Sequence, residues 1–300
     1  MNSDTFSSYH PIVNMTFFVV VIGFSMFLMH PIILGFSLVS SFVYTLCLNG
    51  KKAVRVGLVF VLPMFLLTAI LNPLFNHRGA TILAYLPNGN PITLESVVYG
   101  IAASVMLVSV VSWFSCFNAI MTGDKFVYLF GRIAPALSLI LAMSLRLVPR
   151  FITQAKIIGQ AQRGIGRNVS DGNLLTRARH GIRILSILTT WALENAIETA
   201  DSMKSRGYGL PGRTAFSIFR FSKRDGRAMA YIVGSAIVVM AGAVLDVYSF
   251  RYFPTIAHNA GEFHGAWAVL VFAVFSTLCL FPIIVKLEWK RGAVKWKVSP

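Results

Sequence analysis

Six apolar runs, each close to the length of a membrane crossing, constrain this chain more than any other feature: about 12–29, 32–48, 54–71, 95–117, 228–247 and 265–285. A bilayer core about 30 Å thick takes roughly 20 helical residues to cross. Inside it each backbone N–H and C=O needs a partner from the chain itself, which a helix supplies within one segment. With 56% apolar and 13% charged residues over a length of 300, the chain is too apolar for a soluble domain. The predicted fold class is an all-α integral membrane protein, a bundle of about six crossings with long cytoplasmic amphipathic helices. Only His30 and Pro31 separate the first two runs, which are either a tight helical hairpin or a pair of tilted, broken helices; Pro31, which lacks a backbone N–H, favours the break. A seventh run, 134–148, is shorter. Closed by Arg146 and Pro149, it is expected to dip into the membrane surface and not to cross. Met1 to Pro11 carries no Lys or Arg and leads to no small-residue cleavage site, so the first run is expected to be retained.

Positive charge orients such a bundle. Lys and Arg number 27 against 11 Asp and Glu, and they gather in alternate connections. Lys51, Lys52 and Arg55 lie in one loop, Lys125 and Arg132 in another, and Lys286, Lys290, Arg291, Lys295 and Lys297 in the tail. The intervening loops hold only Arg78 and Arg251. The positive-inside rule then predicts a multi-pass protein of the cell membrane with both termini cytoplasmic. The rest of the charge lies between Pro149 and Arg227, where fourteen Lys and Arg face five Asp and Glu. Three segments are expected: N-terminal transmembrane helices over 1–133, a cytoplasmic or membrane-surface helical domain over 134–227, and C-terminal transmembrane helices with a basic tail over 228–300.

The central segment has helical periodicity. Phe151, Ala155 and Ile158 share one side of a helix, with Lys156, Gln160 and Arg163 turned away. A second helix is predicted from about Thr176 to Arg206. Its last turns separate a polar face, Glu194, Glu198 and Asp201, from an apolar one, Leu193, Ile197, Ala200 and Met203 or Lys204. Each helix ends in the same way. Gln160-Ala161-Gln162-Arg163-Gly164-Ile165-Gly166-Arg167 is echoed by Met203-Lys204-Ser205-Arg206-Gly207-Tyr208-Gly209-Leu210. Glycine past a helix supplies the left-handed residue that closes it, and a cation there complements the macrodipole. An Arg held at a helix tip also projects a planar fork of donors matched to carboxylates. Two such tips predict a grip on a dimeric or pseudo-symmetric cytoplasmic partner.

On these residues, and on Leu145-Arg146-Leu147-Val148-Pro149 and Gly207-Tyr208-Gly209, the chain resembles the transmembrane T component of energy-coupling factor transporters, the EcfT or CbiQ family, over most of its length. The resemblance implies a scaffold and energy-coupling subunit of an ABC-type importer of micronutrients, vitamins or metal ions. Its implied partners are two ABC-type ATPase subunits and a membrane-embedded substrate-binding S component. The family's Ala-Arg-Gly tips dock on the ATPases. Carried over, they imply ATPase-binding roles for Gln162, Arg163 and Gly164 and for Ser205, Arg206 and Gly207. Gln162 and Ser205 depart from the usual alanine; Ser205 is small, whereas Gln162 implies a shallower seat or an added hydrogen bond.

Other constellations carry less. Cys47, Cys116 and Cys279 are scattered without metal or redox spacing, and His10, His30, His77, His180, His258 and His264 form no compact motif. Glu194 and Glu198 have no His three or four residues on, as a Glu-x-x-His metal site requires; Lys204 after Asp201 is an ion-pair candidate. Asn72-Pro73 and Leu86-Pro87-Asn88-Gly89-Asn90-Pro91 are turn chemistry. Gly164-Ile165-Gly166 follows a helix and lacks the Gly-Lys-Ser/Thr of a phosphate loop. The basic segment has no interleaved aromatics for single-stranded nucleic acid, although Arg177, Arg179 and Arg183 suit lipid headgroups. No metal, cofactor, catalytic residue or nucleic-acid partner is predicted. The spans are almost without internal charge, with Glu95 and Asp246 at their ends, so the energy source is expected outside the chain. Two rival readings are a stand-alone secondary transporter or channel and a membrane-embedded enzyme.

Overall fold

A computed structural model describes residues 5–85, 87, 89–133, 135–168, 170, 173–208, 219–245, 250–258 and 265–298. Side chains at 51, 52, 132, 133, 135–138, 266 and 288–298 are outside that description. Asn88, Gly209, Leu210, Asp246 and His264, and the side chains of Lys51, Lys52, Arg132, Lys290, Arg291, Lys295 and Lys297, thus lie outside the described residues. The chain divides into two compact units, one of Met1–Thr122 with Phe219–Pro300 and one of Gly123–Ile218.

The first unit contains α1 (Pro11–Phe27), α2 (Pro31–Asn49), α3 (Lys51–Val56) running through a π turn (Gly57–Val61) into α4 (Leu62–Phe75), and α5 (Leu94–Ile120). The insert's helices, α6 (Gly123–Ile133), α7 (Pro135–Gly164) and α8 (Leu174–Ser205), belong to the second unit. The chain then returns to the first for α9 (Lys223–Val244) and α10 (Gly265–Val298). A 3-10 turn (Phe6–Ser8) precedes α1, and two short antiparallel hairpins, Ile82–Tyr85 with Pro91–Thr93 and Phe250–Arg251 with Ala257–His258, complete the described elements. Five described helical stretches are long and apolar enough to cross a membrane; Pro11–Phe27, at 17 residues, falls just short. This helical architecture is the predicted all-α membrane fold. The predicted break at Pro31 is also present, and its chemistry recurs. His10-Pro11-Ile12 and His30-Pro31-Ile32 each put Pro at the first helical position, where a missing N–H costs nothing. In each, the His Nδ1 accepts from the Ile backbone N–H at 3.3 Å. The π turn has a local cause as well. Pro63 follows it, and a wider turn relieves the clash of a proline ring with the carbonyl four residues back.

In the first unit the core is aromatic. Phe6, Phe17, Phe18, Tyr44, Trp113 and Phe275 are fully buried, with edge-on contacts such as Phe6–Phe17 at 5.1 Å and Phe17–Trp113 at 5.9 Å. Small residues let the helices approach. A Cβ on Gly100 would sit 3.0 Å from the Ala69 carbonyl and 3.1 Å from Asn72, so α4 and α5 pack backbone to backbone there. Several buried polar groups pair with one another: Trp113 Nε1 donates to Ser37 Oγ at 3.1 Å, and Ser25 and Ser37 share a hydrogen bond at 2.6 Å. By contrast, no residue from 54 to 71 is buried, and Leu58, Phe60, Leu67, Ile70 and Phe75 lie exposed, as lipid-facing residues do.

Each end of this unit is tied. At one, Thr81 N–H donates to the buried Glu95 carboxylate at 3.2 Å, Ala80 N–H to the Pro254 carbonyl at 3.1 Å, and Tyr252 Oη to the Met29 carbonyl at 2.8 Å. At the other, His10 N–H donates to Asp225 Oδ1 at 3.1 Å, the Arg224 guanidinium lies 4.2 Å over the Tyr9 ring, and Lys286 Nζ donates to the Cys47 carbonyl at 2.8 Å. Asp225 also completes a capping box with Ser222 that starts α9. Ile120, where α5 stops, and Lys223, where α9 starts, belong to this second end.

The second unit corrects one expectation. The apolar run 134–148 does not close at Arg146 and Pro149, because α7 runs unbroken from Pro135 to Gly164 with Pro149 inside it. A proline inside a helix forfeits one hydrogen bond and bends the axis. Here Thr153 Oγ1 donates to the Pro149 carbonyl at 3.0 Å. Helix α6 clusters with α7 and α8.

Candidate docking site at two helix tips

The two predicted tips are the C-termini of α7 and α8. These helices meet where Phe151 and Trp191 contact edge to face at 5.6 Å. Ile158 is buried on the α7 side, with Phe151 and Ala155 half-buried, and Lys156, Gln160 and Arg163 turned out as the periodicity predicts. At a rise of 1.5 Å per residue, Gly164 stands about 20 Å along α7 from Phe151, and Ser205 about 21 Å along α8 from Trp191. The tips thus end arms of nearly equal length beyond one crossing.

Both arms close with the same turn. On α7, Gly166 is left-handed (φ 74°), its N–H donates to the Arg163 carbonyl at 3.1 Å, and Arg167 N–H donates to the Gln162 carbonyl at 2.9 Å. On α8, Gly207 is left-handed (φ 73°), its N–H donates to the Lys204 carbonyl at 3.1 Å, and Tyr208 N–H donates to the Met203 carbonyl at 3.0 Å. Each pair of bonds is a Schellman closure satisfying two carbonyls at the helix end. The residues filling it differ. Gly207 directly follows Arg206, whereas Gly164 is the last helical residue of α7 and the closing residue is Gly166.

Of the six residues predicted for the site, Arg163, Gly164, Ser205 and Arg206 are exposed, and Gln162 and Gly207 are half-buried. Ser205 Oγ turns back to the Ser202 carbonyl at 2.9 Å. Gln162 Oε1 is buried without a hydrogen-bond partner among the described residues, a state a native structure rarely leaves uncorrected. A cation three residues before each closing glycine, Arg163 and Lys204, favourably faces the negative helix end. Lys204, Arg167 and Ile165, which is 61% exposed, also stand at the tips; the echo contains all three, but none was assigned to docking from the sequence. Glu194, Glu198 and Asp201 are exposed along α8, and no group of three or more His, Cys, Asp or Glu among the described residues is placed to hold a metal.

On α8 no described residue is buried. Its half-buried positions are His180, Gly181, Ile184, Leu188, Trp191, Ala192, Asn195 and, near the tip, Met203. Ile182, Leu185, Leu193 and Ile197 stay exposed, each by more than 60%, an apolar strip with no cover among the described residues of the unit.

Comparison with known proteins extends over the same region. The protein family CbiQ, described as cobalt transport protein, matches residues 7–216. The chain is 26% identical over 249 residues, 77% of its own length and 90% of the relative's, to the energy-coupling factor transporter transmembrane protein EcfT of Bacillus selenitireducens. It is 26% identical over 214 residues, 66% of its length and 80% of the relative's, to that of Staphylococcus aureus. With the protein of the same description from Lactobacillus helveticus it shares 37% identity over 98 residues, 32% of this chain and 35% of that relative.

Proposed function

The chain belongs to the CbiQ family of cobalt transport proteins, and from that premise we propose that it is the membrane scaffold and energy-coupling subunit of an energy-coupling factor importer. Two ABC-type ATPases dock on the tips of α7 and α8. A membrane-embedded S component that selects a vitamin or metal ion packs on the apolar strip of α8. When nucleotide binding and hydrolysis change the separation of the ATPases, the two arms move with them and carry that motion to the S component. Long packed helices suit such a role because they slide and rotate on one another without unfolding.

The observation that carries this reading is the pair of equal arms ending in matched Schellman closures with exposed cations. An exposed Arg206 pairs with a carboxylate of the ATPase surface, and a partner N–H satisfies the orphaned Gln162 Oε1. The basic ends of unit 1 lie together, Lys223 and Arg224 with the start of α1 and Lys286 with the end of α2; we place that end in the cytoplasm, with both termini.

Reconstitution in liposomes tests the proposal against a stand-alone transporter or channel. The purified chain alone is expected to pass no solute, and ATP-dependent uptake is expected only with both ATPases and the S component present. Solute flux through the chain alone overturns the coupling role.

A further inference from the structure

Helix α8 carries its charge in two blocks of opposite sign. Its first half holds Arg177, Arg179 and Arg183 and no acidic residue; its second holds Glu194, Glu198 and Asp201 and no Lys or Arg before Lys204. At about 100° per residue, Arg179 and Arg183 lie within about 40° of each other, and Glu194 and Asp201 continue that side of the helix further on. His180, Ile184, Leu188 and Trp191, which are half-buried, occupy a different side. Next to the arginines, on the side away from these packed residues, is an apolar surface. Leu174 is 83% exposed and Leu175 77%, and with the exposed Ala178 they fill an arc of about 100°. They stand about 10–12 Å before Ile182, the first residue of the strip given above to the S component.

We infer that the first three turns of α8 anchor it to the cytoplasmic surface of the bilayer, with Leu174 and Leu175 in the headgroup layer and Arg179 and Arg183 on anionic phospholipid headgroups. Open leucines beside cations are the pattern of a helix that lies in an interface. An anionic leaflet offers an apolar layer and phosphate oxygens side by side, so it satisfies both surfaces at once. The spans already hold the chain at a bilayer, which makes the encounter intramolecular and lets a small patch suffice. The acidic block gives the anchor a direction. A surface that attracts Arg179 and Arg183 repels Glu194, Glu198 and Asp201, so α8 is held at its start and its tip points away from the leaflet, free to move. That consequence for coupling rests on the role proposed above; the anchor itself needs neither ATPase nor S component.

The test uses the full-length chain alone, in nanodiscs of phosphatidylcholine with and without phosphatidylglycerol, each doped with lipid bearing a nitroxide on its upper acyl chain. A bimane on Leu175→Cys reports contact by quenching, in a Cys47→Ser background that leaves the two buried cysteines. Each cation at an anionic surface strengthens association about fivefold, so quenching is expected to rise about twofold or more with phosphatidylglycerol. Arg179→Gln together with Arg183→Gln is expected to hold it at the phosphatidylcholine level. Arg179→Lys together with Arg183→Lys is expected to keep the rise, which separates charge from a folding defect. A bimane on Glu198→Cys is expected to stay unquenched in both lipids. No quenching at position 175, or quenching there that ignores phosphatidylglycerol or survives the paired Gln substitutions, overturns the anchor and leaves the docking role standing. Equal quenching at positions 175 and 198 overturns its direction. Failure of the liposome assay described above removes the docking role and leaves the anchor standing.

Discussion

Arg206 and Gly207 divide the second tip between them: one side chain for recognition, one backbone for shape. Because the Arg206 side chain is exposed, Arg206→Ala is expected to leave the melting temperature of the protein unchanged and to lower ATPase affinity by about 1.5–3 kcal/mol, the range for a hydrogen bond to a charged group. Titration with ATPase subunits measures it. The glycines separate differently. At φ 73° and 74°, Gly207 and Gly166 sit in the left-handed region, so Val at either position costs about 1–2 kcal/mol or more and loosens the last helical turn. Gly164 needs no left-handed backbone and has open space around its Cβ position, so Gly164→Ala is expected to keep that turn. Amide hydrogen exchange over 160–167 and 203–208 distinguishes the two outcomes, and protection lost in Gly164→Ala would contradict the assignment. The echo was legible in the sequence because it is built from glycines and cations. Its register was not, since which of two glycines turns left-handed depends on where the helix stops.

At the scale of the element, burial and close approach decide. Lys125 on α6 is 5% exposed, and burial pushes its ammonium down from an ordinary value of 10.5 to about 8. Between about pH 8 and 10.5 the unfolded chain therefore binds more protons than the folded one, and stability rises with pH across that window. Thermal unfolding in detergent is expected to show a higher melting temperature at pH 9.5 than at pH 7.5, with the rise removed in Lys125→Met. An equal rise in the variant would assign it to other groups. In the first unit, Gly100→Leu drives a side chain into the Ala69 carbonyl and Pro73 and is expected to cost about 1–3 kcal/mol or more, read as a fall in melting temperature. The helices themselves were plain from apolar length, and the break at Pro31 from proline chemistry. The passage of α7 through Pro149 was not, because a proline stops or bends a helix according to what surrounds it, and Phe151, Ala155 and Ile158 continue a packed face beyond it.

For the whole molecule, an apolar bundle with little charge inside it and a basic helical insert suit the proposed role of a subunit driven by its partners. Co-reconstitution is expected to yield transport that stops when ATPase binding is lost in Arg206→Ala, even with the S component present; uptake at the wild-type rate would detach the tips from coupling. Composition and periodicity alone determined that this chain lives in a bilayer, that its spans are helices, and that its central segment is helical and basic. They suffice because the cost of unpaired backbone groups in hydrocarbon leaves few alternatives. Tertiary structure decided what period and composition do not encode: that α6 joins the insert, that α7 and α8 are equal arms about the Phe151–Trp191 contact, and that Gly166, not Gly164, closes the first arm. Each of these depends on which hydrogen bonds close a helix and which faces pack, and those are settled between residues distant in sequence or by a backbone angle that one glycine takes and its neighbour does not.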